Sequence, residues 1–372
     1  TESATEICIR KIAPIRTKSN RLTRKAKVPK RFANEDWVTD ISLSISFRVY
    51  YVYGHGADSL KIPIRTITVE PTHRCNRACS FCYIPKPREE RPPSELSATE
   101  LSRRIGWLVE QTGCDHVQLS GGEPFLRGDI REFVDGLRRP GLRISVITDG
   151  GLLDDDLVDA LAARDVGPVQ PTLLAGSAKG HDALRGYEGA FRETTLGIAR
   201  AVKAGIHVIV SFVTTSRNWN EAGDVADLAF ALGARSVTLA RFCPAGAAQR
   251  SFRQLMPSAE QVSEAARKAA AACRSRGLKL TAAITIPSCV WPGSEHPPLP
   301  TGVCSLVGPS TAVTIGPDGS VRTCALSTLS GGILGETPWD EIASRLWEEE
   351  LRPARQNVPE MCQGCDRYSR CL

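Results

Sequence analysis

Pro71-Thr-His-Arg-Cys75-Asn-Arg-Ala-Cys79-Ser-Phe81-Cys82-Tyr83 decides the reading of this chain, because it spaces three cysteines C-x3-C-x2-C directly after a strand-like run. Three thiolates ligate three irons of a [4Fe–4S] cube, whereas such a cluster normally takes four. The iron left over is an open position, and open positions on protein-held metals mark chemistry rather than structure. A zinc site is the alternative. It needs a fourth ligand close by and is more often built from paired C-x2-C; His73 is the nearby candidate, although it lies too close in sequence to wrap easily.

The 372 residues suffice for a barrel-sized domain and a smaller one. No apolar run approaches the ~18 residues of a membrane span, and the first residues lack the apolar core of a secretory signal. Thirteen cysteines without an export signal point to metal ligation in a reducing compartment, so a cytoplasmic protein is expected. The net charge of +6 is concentrated between Arg10 and Arg31, where ten Lys and Arg residues meet no acid. Such an arm can bind nucleic acid or an acidic peptide. Without interleaved aromatics it reads instead as a solvated, disordered segment over residues 1–35.

Ile41-Ser-Leu-Ser-Ile-Ser-Phe-Arg-Val49 alternates apolar and polar residues, which predicts a half-buried strand in an N-terminal extension over residues 36–63. From Ile64 the pattern becomes strand then helix, repeated. Strands are expected at 66–70, 116–120, 143–147, 168–173, 207–212 and 236–240. Helices are expected near 97–111, 129–137, 153–162, 190–203, 220–231 and 259–276. This alternation implies an α/β fold with a parallel sheet, closed into a barrel or open and doubly wound. In either form ligands bind at the C-terminal ends of the strands. A Pro-rich stretch near 287–300 then leads into a cysteine-bearing segment, with the boundary near residue 285.

Cys75, Cys79 and Cys82, with Phe81 before the last, resemble the C-x3-C-x-aromatic-C signature of the radical AdoMet (radical SAM) superfamily. Membership implies a partial (β/α)6 TIM-like barrel over residues 64–285. It also implies S-adenosylmethionine bound at the open iron through its amine and carboxylate. An electron from the reduced cluster then cleaves the S–C5′ bond, and the 5′-deoxyadenosyl radical abstracts a substrate hydrogen. The family's GGEP motif is matched by Gly121-Gly122-Glu123-Pro124 after the second strand, where glycines let a ligand approach the backbone. Asp149, in Thr148-Asp-Gly150, stands where the family has a turn near the ribose, although an Asp-Gly turn explains it equally well. Ser211 and Asn218, with Thr214, are polar candidates around the fifth strand.

His181-Asp-Ala-Leu-Arg-Gly186 and Arg241-Phe-Cys-Pro-Ala-Gly246 resemble segments of the subgroup that carries C-terminal SPASM or twitch modules. The Ser-Leu-Asp-Gly common there on the fourth strand is here Thr172-Leu-Leu-Ala-Gly176, without the acid. Tyr83, His181, Arg185 and Arg241 are substrate candidates by position, and His181 is equally readable as a structural histidine.

Residues 286–372 hold Cys289 near their start and then Cys304, Cys324, Cys362, Cys365 and Cys371. Val313–Val321 reads as a β-hairpin around an Asp-Gly turn. Gly319-x4-Cys324 and Cys362-x2-Cys365-x5-Cys371 resemble the SPASM ligand pattern, which implies one auxiliary [4Fe–4S] cluster. Its ligands would be Cys304, Cys324, Cys362 and Cys365, with Cys371 or the neighbouring Cys289 as alternates. Structural zinc is the competing reading, since spacing alone does not choose the metal. Cys8, Cys114, Cys243 and Cys273 are scattered, as small buried hydrophobes often are.

Three functions follow. The first is oxidative maturation of a peptide, with a flavodoxin or ferredoxin as electron donor. The second is dehydrogenation, epimerisation or decarboxylation of a small molecule such as a sugar, aminoglycoside or porphyrin. The third is a non-catalytic iron–sulfur or zinc-binding protein. A membrane partner is not expected, and nucleic acid is disfavoured.

Overall fold

The computed structural model describes residues 51–52, 62–84, 95–291, 299, 304–308 and 310–365. The strand expected at 41–49, the basic arm, Cys8, Cys371 and most of the Pro-rich stretch lie outside them.

Strand β1 (Tyr51–Val52) pairs antiparallel with β2 (Ile62–Val69). The chain then runs α1 (Ala98–Thr112), β3 (His116–Leu119), α2 (Ile130–Leu137), β4 (Arg143–Thr148), α3 (Asp155–Ala162) and β5 (Val169–Pro171). Helices α4 (Ala178–Arg185) and α5 (Ala190–Lys203) precede β6 (Ile209–Thr214), α6 (Ala222–Ala231) and β7 (Ser236–Arg241). After the short α7 (Phe252–Leu255) come α8 (Ala259–Arg276) and β8 (Lys279–Ala282). Parallel pairing joins β2 to β3, β3 to β4 and β4 to β5. The bridges Val169–Val208 and Thr172–Ser211 carry the array on to β6, which pairs parallel with β7.

Local chemistry accounts for these elements. Ser97 caps α1 by accepting from the Glu100 amide, and Gly113, at φ +65°, ends it. Between them Leu101, Ile105, Leu108, Val109 and Thr112 bury one helical face. Helix α8 opens on a reciprocal capping box between Ser258 and Gln261. Ser236–Ala240 is buried at every position, as expected of a strand covered on both faces.

Two strands join the parallel array beyond the six expected. Lys279-Leu-Thr-Ala is only four residues long, and its register with β7, Val237 opposite Leu280, makes it a strand. The expected hairpin forms between β9 (Thr311–Ile315) and β10 (Ser320–Arg322), with β11 (Gly332–Ile333) beyond. The free edge of β9 pairs parallel with β2, from Ile64–Thr311 to Val69–Ile315. The cysteine-bearing C-terminal segment therefore shares a sheet with the strand that leads into the cysteine loop. Arg104 of α1 reinforces the join by donating to the Leu334 carbonyl at 2.6 Å and pairing with Glu336. Among the described residues, no helix is long and apolar enough to cross a membrane.

Candidate active site

Residues 70–84 form the loop at the C-terminal end of β2, and three other segments grip its backbone. The amides of Gly122 and Glu123 donate to the carbonyls of Thr72 (2.9 Å) and Arg74 (2.8 Å). Those of Ala78 and Ser80 donate to the carbonyls of Arg185 and Leu184, each at 3.2 Å. The Cys82 and Ile84 carbonyls accept from Ala248 (2.8 Å) and Ala247 (3.1 Å). The three segments are the GGEP turn, the end of the His181–Gly186 run, and the turn after β7.

The glycines have a neighbour within the chain itself. A Cβ on Gly122 would stand 2.0 Å from the Arg74 carbonyl oxygen. One on Gly121, at φ +100°, would stand 2.8 Å from that of Thr72. Tyr83 closes the contact: its hydroxyl lies 3.0 Å from Ser120 Oγ and accepts from the Gly121 amide. Pro124 begins a single 3₁₀ turn, Pro124–Leu126.

Cys75, Cys79 and Cys82 are each half-buried. Burial pushes the Cys75 thiol up to about 12 and the Cys82 thiol up to about 11. Arg185, itself buried, donates from Nη1 to Cys79 Sγ at 3.4 Å and from Nη2 to the Thr172 carbonyl at 2.6 Å. Its guanidinium lies 5.9 Å from the centre of the Phe81 ring. Among the described residues no three His, Cys, Asp or Glu side chains converge closely enough to hold a single metal ion. A cubane takes one thiolate per iron, so its ligands stand apart. Buried Asn76 Oδ1, Glu70 Oε1, Arg185 Nε and Thr214 Oγ1 have no hydrogen-bond partner. These atoms sit on the loop, on the ends of β2 and β6, and on the end of the His181–Gly186 run. Three thiols beside buried groups that a polar ligand would satisfy fit a cluster with AdoMet.

The carboxylate of Glu123 accepts from the Thr148 hydroxyl (2.9 Å to each oxygen) and from the amides of Asp149 (2.8 Å) and Phe125 (3.2 Å). Burial, then the charge of Asp149, push it up to about 8. Asp149 is itself occupied: one oxygen forms an ion pair with Arg77 and the other accepts from the Gly151 amide. Asn218 uses its full capacity within the chain, accepting from Thr215 N and Oγ1 and donating to the carbonyls of Leu174 and Val213. Ser211 is buried on β6 beside Thr238 of β7. His181 is fully buried, accepts at Nδ1 from the Leu174 amide, and meets Phe191 edge-on. Burial, then Arg185 and Arg77, hold it down at about 2, so it stays neutral. Arg241 donates from Nε to the Thr285 carbonyl.

The sequence reading passed over Arg77. It lies between Cys75 and Cys79, is buried, pairs with Asp149 and Glu193, and stands 4.4 Å over the Tyr187 ring. Inside the signature it occupies one of the positions between cysteines, and its partners lie far along the chain.

In the C-terminal segment Cys324 is half-buried and Cys304 exposed. Burial, and the proximity of Cys304, push the Cys324 thiol up. Cys243, set among the scattered cysteines, also lies near enough to feel the charge of Cys304. Cys362 and Cys365 share one turn, with the Cys365 amide donating to the Cys362 carbonyl. Cys289 lines a surface groove of about 630 Å³ with Trp219, Glu260 and Val290.

A parallel α/β sheet with a three-cysteine loop at the end of its first parallel strand, gripped by a GGEP turn, defines the class. The chain belongs to the Radical SAM superfamily, whose profile matches residues 69–229, and it is a radical SAM enzyme. That membership carries a [4Fe–4S] cluster and S-adenosylmethionine. The chain is similar to the PqqA peptide cyclase of Rhizobium meliloti (strain 1021), at 27% identity over 310 residues covering 82% of this chain and 80% of that one. It is 33% identical over 199 residues to the PqqA peptide cyclase of Methylocella silvestris, covering 54% and 53%. Its fold is similar to that of Streptococcus suis SuiB bound to the precursor peptide SuiA (TM-score 0.65, 13% identity, 82% of this chain and 70% of that one). It is also similar to native anSMEcpe with bound AdoMet (TM-score 0.62, 15% identity, 82% and 87%).

Proposed function

We propose that this chain modifies a peptide by radical hydrogen abstraction. Its cluster would be held by Cys75, Cys79 and Cys82, and AdoMet would lie against the Gly121–Pro124 turn. The observation that carries the reading is the grip of three separate segments on the 70–84 loop. That grip holds three thiols and several unpaired polar groups at the strand ends. The cluster and AdoMet, when bound, supply a 5′-deoxyadenosyl radical; the protein's share is orientation and exclusion of side reactions. Similarity to peptide cyclases over 82% of the chain supports a peptide substrate.

The reading extends to one auxiliary [4Fe–4S] cluster on Cys304, Cys324, Cys362 and Cys365, with Cys371 as an alternate. It would accept the electron left on the substrate, which makes the net reaction an oxidation. A flavodoxin or ferredoxin in the cytoplasm would reduce the radical cluster. After anaerobic reconstitution the protein is expected to hold about eight irons, and its reduced EPR signal to change with AdoMet. With dithionite, AdoMet and a deuterated peptide it is expected to release 5′-deoxyadenosine carrying deuterium. Absence of 5′-deoxyadenosine overturns the reaction, and label found only with small-molecule substrates overturns the peptide.

A further inference from the structure

Glu70 and Arg322 lie 252 residues apart and form an ion pair between the two cysteine-bearing parts of the fold. Glu70 is the first residue after β2, five before Cys75, and is fully buried. Its amide donates to the Ile315 carbonyl at 2.8 Å, and its backbone lies beneath the GGEP turn, where a Cβ on Gly121 would stand 2.9 Å from the Glu70 Cβ. Arg322 ends β10, two residues before Cys324, and its side chain is 12% exposed.

The guanidinium of Arg322 is divided between two tasks. Nη2 engages Glu70 Oε2, which also meets His73 Nε2 at 2.8 Å. Nη1 donates to the carbonyls of Ala325 (3.2 Å) and Ser327 (3.3 Å), the turn that follows Cys324. A planar fork can hold a carboxylate and two carbonyls at fixed angles; an ammonium of the same charge has no such fork. Among the described residues the turn's other ties are local: the Ser327 amide to the Cys324 carbonyl, the Leu326 amide to Cys324 Sγ at 3.5 Å, and the Leu329 amide to Ser327 Oγ at 3.1 Å. Thr323, by contrast, is anchored to Glu350 on the C-terminal side.

We propose that Arg322 is a positioning residue that fixes the Cys324 turn against the radical-cluster loop through Glu70, so that the two cysteine sites keep one separation. Electron transfer between centres depends on their spacing, and the ladder of β9, β10 and β11 ends at Arg322, so its guanidinium ties the following turn back to β2. This inference rests on the reading of Cys324 as an auxiliary-cluster ligand.

The test is amide hydrogen exchange on the reconstituted wild type, Arg322→Lys and Glu70→Gln, read over residues 324–330 and over Ser236–Arg241 as a reference strand. Arg322→Lys is expected to speed exchange of the 324–330 amides at least tenfold and to alter the Cys324-dependent EPR signal, with the reference strand unchanged. Glu70→Gln, which keeps the shape and removes the charge, is expected to speed the same amides by a smaller factor. Unchanged exchange at 324–330 in both variants overturns the proposal, as does acceleration spread equally to the reference strand. Iron content of the wild type separates the two readings: about four irons per chain overturns the auxiliary cluster, whereas the exchange result decides the tie between the loops.

Discussion

The guanidinium of Arg77 and the carboxylate of Asp149 form a buried ion pair, Nε to Oδ2 at 3.0 Å, that ties the interior of the cysteine signature to the end of β4. Glu193 of α5 shares the same guanidinium at 2.5 Å. The loop is therefore held from one side by charge and from the others by backbone hydrogen bonds. Removing one partner of a buried pair costs about 3–5 kcal/mol, because the other is left uncompensated. Arg77→Met is expected to lower the stability of the iron-free protein by about that amount, read from the urea midpoint. Adding Asp149→Leu should restore most of the loss; no restoration means that the cost lies in packing against Tyr187.

Gly122 has no room for a side chain, since the obstacle at 2.0 Å is a backbone carbonyl. Gly122→Ala is expected to displace the cysteine loop, cost about 1–3 kcal/mol, and reduce iron bound at the loop. Gly128, with nothing near its Cβ direction, is the control: Gly128→Ala should change stability by less than about 0.5 kcal/mol. Full iron loading in Gly122→Ala would show that the loop can yield.

His181 acts on stability through its charge state. Its folded pKa is depressed well below the usual histidine value, so the unfolded chain binds the proton first and stability falls as pH drops below about 6.5. One group contributes about 2 kcal/mol between pH 6.5 and 5. His181→Asn keeps an acceptor near the Leu174 amide and should flatten this acid-side slope. Urea unfolding at several pH values checks it, and a slope equal to wild type would mean that His181 is charged in the fold.

Cys75→Ala is expected to abolish 5′-deoxyadenosine formation while leaving the fold intact by circular dichroism. Cys324→Ala should retain AdoMet cleavage uncoupled from substrate and lose product. A wild-type product yield in Cys324→Ala would remove the electron-acceptor role from the auxiliary site.

Much of this was legible in the sequence for a local reason. Ser97, Ser258 and Gly113 punctuate helices through their own side chains or lack of one, and Ser236–Ala240 is a strand because every residue is apolar or small. The spacing of Cys75, Cys79 and Cys82 likewise carries its chemistry within eight residues. Asn218 and Asp149 were legible only as polar residues at strand ends. That both spend their hydrogen bonds within the chain depends on Thr215, Leu174 and Arg77.

The sequence by itself determined the alternating α/β pattern, the cysteine signature and the motifs that follow particular strands, because capping, periodicity and ligand spacing act over a few residues. Only the tertiary structure decided that β9 lies parallel to β2, that Arg77 meets Asp149 and that Arg322 reaches Glu70. Those contacts close loops of tens to hundreds of residues, and the partner of a buried charge or an open strand edge is set by packing that no local pattern encodes.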